Sequence, residues 1–297
     1  MPHGDAELNP LTRTGELAET AYAKVNLALH VRHRRDDGYH ALESLFVFAE
    51  HGDLLTGQVR PDGMLDLQLD GPFGPLLDAG PDNLVLKAAR VLQAYIGEER
   101  GAALQLTKFL PVASGIGGGS ADAAATLRLL VRLWDVPVEP DVLEGIALSL
   151  GSDVPACLSS VTQMVLGRGE LLQRLTVGGL ERMPMLLVNP GVGISTARIF
   201  AGWDQVDRGP LTAGDLDQLV LEGRNDLEAA AVAEAPVIAE VLEALQACPG
   251  VRLTRMSGSG ATCFGLFATE SARASAAEMI RNGHPAWWIA ETRIRAA

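Results

Sequence analysis

Between Pro111 and Ala125 the sequence reads PVASGIGGGSADAAA, with glycine at 115, 117, 118 and 119 and no charge before Asp122. Such a stretch offers backbone rather than side chains. It lies between a strand-like segment and an alanine-rich helical one, so the glycines lead into a helix start. The first N–H groups of a helix have no partner within it, and the aligned peptide dipoles add partial positive charge there. Glycine lets the backbone close on an anion with no Cβ in the way. The combination predicts a phosphate cradle. A tight strand-to-helix connection that needs glycine only for its geometry is the plainer alternative, and the run of glycines ending in Ser120 argues against it. The loop fits none of the commoner nucleotide motifs. A Walker loop requires G-x-x-x-x-G-K-[ST], and no Lys follows. A dinucleotide fold requires G-x-G-x-x-G, and here Ser120 holds the sixth position. The H-R-D and D-F-G elements of protein kinases do not occur.

Other candidates lie in the first half of the chain. AYAKVNLALHV (Ala21–Val31) is apolar at every odd position, a period of two that predicts a strand with one buried face. Lys24 and Asn26 then point the same way. Taken alone, such a Lys reads as a solvent-facing residue at a sheet edge. Asp153, between Gly151-Ser152 and Val154-Pro155, reads alone as a turn or helix-capping acid. Tyr39 and His40 follow an Asp37-Gly38 hairpin turn.

These residues need elements to hold them. ALESLFVFAE returns from the hairpin as a strand, and MLDLQLD (64–70) alternates again. DNLVLKAARVLQAYI carries Leu84, Ala88, Val91, Leu92 and Tyr95 on one helical stripe, capped by Asp82 or Asn83. AALQLTKFLP predicts a strand, with Lys108 near its end. Ala124, Leu127, Val131 and Trp134 stripe the helix after the glycines, and a further helix spans about 139–150 with Gly151 at its stop. PMLLVNPGVGIST predicts a buried strand and a glycine-rich turn, AVAEAPVIAEVLEALQAC (231–248) one helix, and VRLTRMSGSGATCFGLF two strands joined by 257–260. Strands clustered early, rather than alternating with helices, predict an α+β fold. A second domain is expected to begin near 168–184, dividing the chain into 1–170 and 171–297.

The 297 residues suffice for one large or two ordinary domains, and 47% hydrophobic with 21% charged residues is the balance of a globular protein. A net charge of −13 disfavours a nucleic-acid partner. No apolar run is long enough to span a membrane, and MPHGDAELNPLTRTGELAET lacks a signal-peptide pattern, so residues 1–18 read as a floppy extension and the protein as cytoplasmic. Cys157, Cys248 and Cys263 form no C-x-x-C pair and read as buried thiols.

PVASGIGGGSADAA resembles the central motif of the GHMP small-molecule kinases. AYAKVNLALHV with DDGYHALESLF is similar to the N-terminal signature of the branch that acts on a cytidine-diphosphate-linked alcohol. LGSDVPAC resembles the catalytic loop, and MSGSGATCFGLF the C-terminal glycine motif, in the right order from about Ala21 to Ile294. The resemblance implies a two-domain fold with the active site in the cleft between domains, the final strand returning to the first. It implies ATP-dependent phosphorylation of the 2-hydroxyl of 4-diphosphocytidyl-2-C-methyl-D-erythritol, on the non-mevalonate route to isoprenoid precursors, with Mg2+ as cofactor. Mevalonate or homoserine as acceptor, and a non-catalytic nucleotide sensor, remain the alternatives.

By the same resemblance Lys24 and Asp153 are the catalytic pair, the lysine neutralising charge and the aspartate taking the hydroxyl proton. The nucleotide falls to Pro111, Val112, Ala113, Ser114, Gly115, Ile116, Gly117, Gly118, Gly119, Ser120 and Ala121, with Asn83 and Lys108. Asn26, Tyr39, His40, Thr196 and Phe200 are expected to hold the acceptor. Ser195 and Ala197 depart from the prolines usual in the family, and Ser152 from its alanine. Ser120 is placed to meet phosphate or Mg2+, and no acidic pair names a metal ligand. Asn225-Asp226-Leu227-Glu228 is similar to a family stretch and reads as a helix start. A monomer or a homodimer is expected.

Overall fold

The computed structural model describes residues 15–97 and 99–296; most of the expected N-terminal extension lies outside them. In chain order the elements are β1 Leu17–Arg34, β2 His40–Arg60, β3 Leu65–Asp70, α1 Leu84–Ile96, β4 Gly101–Thr107, α2 Gly118–Leu133, α3 Pro140–Leu150, α4 Val154–Ser159, β5 Gln163–Gly167, β6 Leu171–Arg174, β7 Pro184–Asn189, α5 Thr196–Ala201, α6 Leu216–Glu222, α7 Glu228–Glu234, α8 Val237–Gln246, β8 Val251–Met256, β9 Cys263–Phe267, α9 Glu270–Gly283 and β10 Trp288–Arg293. The fold is α+β, as expected. No helix among the described residues is long and apolar enough to cross a membrane.

The first sheet is organised by β2. One edge of this long strand pairs along β1, antiparallel, from Leu17↔Gly57 to Arg34↔His40. The other edge carries β5 against its first half and β4 against its second. Beyond them lie β6, antiparallel to β5, and β3, parallel to β4. The second sheet runs β10-β7-β9-β8, all antiparallel. One core packs α1 to α4 on the first sheet through Phe48, Leu127, Leu130 and Trp134. A second lies between the sheets, where Ala23, Val25 and Leu27 of β1 meet Met185, Leu187 and Phe264. A third, with Leu245 and Ile280, covers the far face of the second sheet.

Several expectations are corrected. The alternation in β1 is real, but Lys24, Asn26 and His30 are as buried as their apolar neighbours, so both faces are covered. On α1 the stripe runs through Val85, Ala88, Ala89 and Leu92, with Val91 and Tyr95 exposed, and Asn83 is the cap, accepting from the Val85 N–H. The helix expected over 231–248 is two helices, α7 and α8. Pro236 has no N–H to donate, and its ring disfavours the helical conformation before it. The β5–β6 hairpin spans 170–171, and the chain passes from one sheet to the other between 175 and 183. β10 pairs within the second sheet but also meets the first, where the His51 N–H donates to Thr292 Oγ1 and, just beyond the strand, the Arg295 N–H donates to the Phe48 carbonyl.

Candidate active site

The glycine run becomes the entrance to α2. Gly117 caps the helix with φ +64° and no side chain accepts from the first turn, whose first internal bond is Ala121 N–H to Gly117 O. The N–H groups of Gly118, Gly119 and Ser120 are therefore available at a positive helix end. Gly115 has φ +77°, and a Cβ there would lie 2.4 Å from the Ser257 carbonyl oxygen. The second glycine stretch, between β8 and β9, is thus the wall against which the first rests. Thr262 N–H donates to Ser114 O, and the Ser257 hydroxyl donates to Gly115 O at 3.1 Å. A Cβ on Gly117 would come within 3.0 Å of Lys24 Cε, so glycine there leaves room for the lysine stem.

Lys24 Nζ lies 3.2 Å from Asp153 Oδ2 and 2.8 Å from Asn26 Oδ1, and 4.5 Å from the centre of the Phe46 ring. The lysine is almost wholly buried, whereas Asp153, just ahead of α4, keeps about a third of its side chain exposed. The accessible carboxylate can take a proton from a bound hydroxyl, while the ammonium fixed beside it offsets charge arriving on phosphate. Asn26 Nδ2 donates to Ser44 Oγ, and the Asn26 backbone N–H to Ser257 Oγ.

Lys24, Asn26, Ser44, Phe46, Asp153 and the loop glycines line one cleft of about 1430 Å³, which also takes in Tyr39, His40, Thr196 and Phe200, whereas Ile116, Ala121, Ser257 and Thr262 are buried and do not line it. His40 stacks on Phe200 at 5.2 Å and meets the edge of Trp203 at 5.6 Å. Partial burial, with the Arg34 charge, holds the His40 imidazole below its ordinary value, so at neutral pH it offers one donor and one acceptor. Tyr39 is exposed with the Arg168 guanidinium 5.1 Å from its ring. Thr196 Oγ1 pairs with Ser259 Oγ at 2.9 Å. Asn83 also lines the cleft, but its amide is engaged at both ends, Oδ1 on the Val85 N–H and Nδ2 on the Asp78 carbonyl.

Lys108 holds a position that spacing did not reveal. It is buried between Asp53 and Asp122, donating to them at 2.5 and 2.6 Å. Asp53 also accepts the N–H groups of Phe109 and Leu110, which fixes the chain where it enters the glycine run. Burial opposes the Lys108 charge, but Asp122 and Asp53 outweigh it and hold the ammonium above its ordinary value. Burial pushes the Asp122 carboxyl up to about 7; Lys108 works against this and Asp53 adds to it. Asp122 Oδ1 is buried without a hydrogen-bond partner. Asn225, read as part of a helix start, bonds the Met256 and Gly258 carbonyls and so holds the second glycine stretch. Trp203, Arg168 and Ser44 were also missed. No local pattern marks them, because each reaches the cleft from a different element.

Among the described residues no cluster of three or more His, Cys, Asp or Glu side chains could hold a metal. Mg2+ commonly keeps most of its ligands as water and substrate phosphate, and the Ser120 hydroxyl beside the glycine loop fits that arrangement.

The model of the GHMP kinases N terminal domain matches residues 83–160, and that of the GHMP kinases C terminal matches 212–286. The 4-diphosphocytidyl-2-C-methyl-D-erythritol kinase of Rhizorhabdus wittichii is 50% identical over 279 residues, covering 93% of this chain and 94% of the relative. That of Parvibaculum lavamentivorans is 47% identical, covering 93% and 97%. A crystal structure of a 4-(cytidine 5'-diphospho)-2C-methyl-D-erythritol kinase matches with a TM-score of 0.78 at 32% identity, covering 95% of this chain and all of the other. A homoserine kinase from Cytophaga hutchinsonii shares the fold at a TM-score of 0.73 and 18% identity, over 97% and 98% of the two chains.

Proposed function

The chain belongs to the GHMP kinase family, and on that premise we propose that it transfers the γ-phosphoryl group of ATP to the 2-hydroxyl of 4-diphosphocytidyl-2-C-methyl-D-erythritol. It is an enzyme, an ATP-dependent phosphotransferase with an alcohol acceptor. The observation that carries the mechanism is the Lys24–Asp153 pair, 3.2 Å apart beside the uncapped start of α2. The free amides of Gly118, Gly119 and Ser120 receive the nucleotide's phosphates. Asp153 accepts the proton of the 2-hydroxyl, whose oxygen bonds the γ-phosphorus as the bond to the bridging oxygen of ADP breaks. Lys24 offsets the charge that gathers between them. Little else is needed, because phosphoryl transfer is accelerated mainly by placement and charge. Mg2+ would neutralise the triphosphate, with Ser120 as its one protein contact from the loop.

The acceptor's cytosine rests at the aromatic end. There His40, stacked on Phe200, presents a neutral donor–acceptor edge, with Tyr39 and Thr196 alongside. Mevalonate and homoserine have no base to occupy these groups. We take 15–174 as the nucleotide-side unit and 184–296 as its companion. We place the enzyme in the cytoplasm, where its three buried, free cysteines persist as thiols.

ADP release with the cytidyl acceptor, against mevalonate and homoserine, tests the assignment. Turnover is expected with the first alone, and preferential turnover of another alcohol overturns it. In the same assay Asp153→Asn should lower kcat by about a thousandfold while ATP still binds. Near-normal turnover in that variant removes Asp153 as the base.

A further inference from the structure

Lys24 can serve only if its ammonium is held toward Asp153, and the holding group is an amide that could point either way. Asn26 carries an acceptor on one side and a donor on the other, nearly equal in shape. If the amide turned over, its NH2 would face Lys24, and the lysine would lose its bond and meet a second donor. Something must fix the orientation.

Ser44 stands where it can. It lies on β2, 2% exposed, opposite Leu29 of β1. Between Asn26 and Ala28 the β1–β2 register shifts by a bulge, which re-aims the local backbone. The Ser44 hydroxyl donates to the Ala28 carbonyl at 2.6 Å. A serine has one proton, and a carbonyl can only accept. With that proton committed, Ser44 Oγ can only accept from its other neighbour, Asn26 Nδ2, at 2.8 Å. The amide oxygen is thereby left to face Lys24 Nζ, at 2.8 Å. The Ala28 carbonyl sets the direction from one end and the donor-only ammonium, 3.2 Å from Asp153, requires the same direction at the other, with Ser257 Oγ a longer 3.5 Å from Asn26 Oδ1.

We propose that Ser44 is a positioning residue for phosphoryl transfer: anchored on the Ala28 carbonyl, it locks the Asn26 amide in the one orientation that presents an acceptor to Lys24. The inference rests on the proposed role of Lys24 and Asp153. Ser44 acts through Asn26 and has no part in the chemistry itself.

The test is steady-state kinetics of the full chain with ATP and the cytidyl acceptor. Ser44→Ala removes the acceptor that fixes the amide. It should lower kcat by about ten- to a hundredfold, the scale of a hydrogen bond to a charged group, with KM for ATP within about twofold of the parent. Ser44→Thr keeps the hydroxyl and suits a strand, so it should restore kcat. The double variant Asn26→Ala/Ser44→Ala should be no slower than Asn26→Ala, because both changes break the same series. Should Ser44→Ala not fold, Ser44→Cys, of similar size with a weak donor and acceptor, takes its place with the same expected loss. A kcat within twofold of the parent, a loss confined to KM, or additive losses in the double variant overturns the inference. Lys24→Met, measured alongside, separates this from failure of the underlying reading. If Lys24→Met abolishes turnover and Ser44→Ala does not, only the role of Ser44 falls. If Lys24→Met turns over normally, the catalytic pair falls and Ser44 with it.

Discussion

At the glycine end of the cleft, main chain packs on main chain: Gly115 lies against the carbonyls of Ser257 and Gly260 and the amide of Gly260. At the aromatic end the surface is side chains alone, with His40 from the start of β2, Phe200 from α5 and Trp203 just beyond it. The first arrangement has no rotamers and almost no space; the second has both. Phosphate is nearly the same in every nucleotide, so a rigid array of amides suffices for it. In the proposed function a cytosine must be told from other groups, which requires ring faces and a donor–acceptor edge, and these would come from side chains that can be exchanged singly.

The comparison predicts unequal responses to substitution. The largest is expected at Gly115→Ala. The new methyl would need φ +77° and would overlap the Ser257 carbonyl, so the loop must shift. kcat/KM for ATP should fall by at least about a hundredfold; a variant within a few-fold of the parent would show that the two glycine stretches are not rigidly packed. His40→Ala should be milder and one-sided. It should raise KM for the cytidyl acceptor about tenfold, the worth of one lost ring contact and edge, with KM for ATP unchanged. Equal effects on both substrates would dissolve the division between the two ends. Because His40 is held below the ordinary imidazole value, acceptor binding in the parent should be insensitive to pH from neutrality upward and weaken only on acidification.

The smallest effect lies beneath the glycine end. Asp122 has its carboxyl raised to about 7, so between the ordinary carboxylate range and neutrality the folded chain binds a proton that the unfolded chain releases. That contribution favours folding at low pH and is lost as pH rises toward 7. The histidines held low, His30, His40 and His51, work in the opposite sense. Asp122→Asn isolates the carboxyl: relative to this variant, the parent's melting temperature should drop by a few degrees across that window. Parallel curves would mean Asp122 is ionised throughout.

The glycine end was legible as an entrance to a helix, and the structure starts α2 there with Gly117 as its cap. Lys24 and Asn26 were legible as a pair through simple alternation. The link from Asn26 to Ser44 was not, since it depends on a bulge that a period of two cannot show. Asp53 and Asp122 carry no signal in the sequence, and only their convergence on Lys108 gives them meaning. Trp203 reaches the aromatic end from beyond α5, in a stretch without periodicity. Pro236 was in plain view, and apolar spacing continuing past it made one helix of two.

The contact of Gly115 with the Ser257–Gly260 turn joins segments far apart in the chain. During synthesis the stretch holding Gly115 leaves the ribosome long before its buttress exists. A nascent polypeptide ending short of Ser257 has no Ser257 hydroxyl for the Gly115 carbonyl and no Thr262 amide for Ser114. The support behind the first glycine stretch is therefore complete only once the chain has been made as far as Thr262.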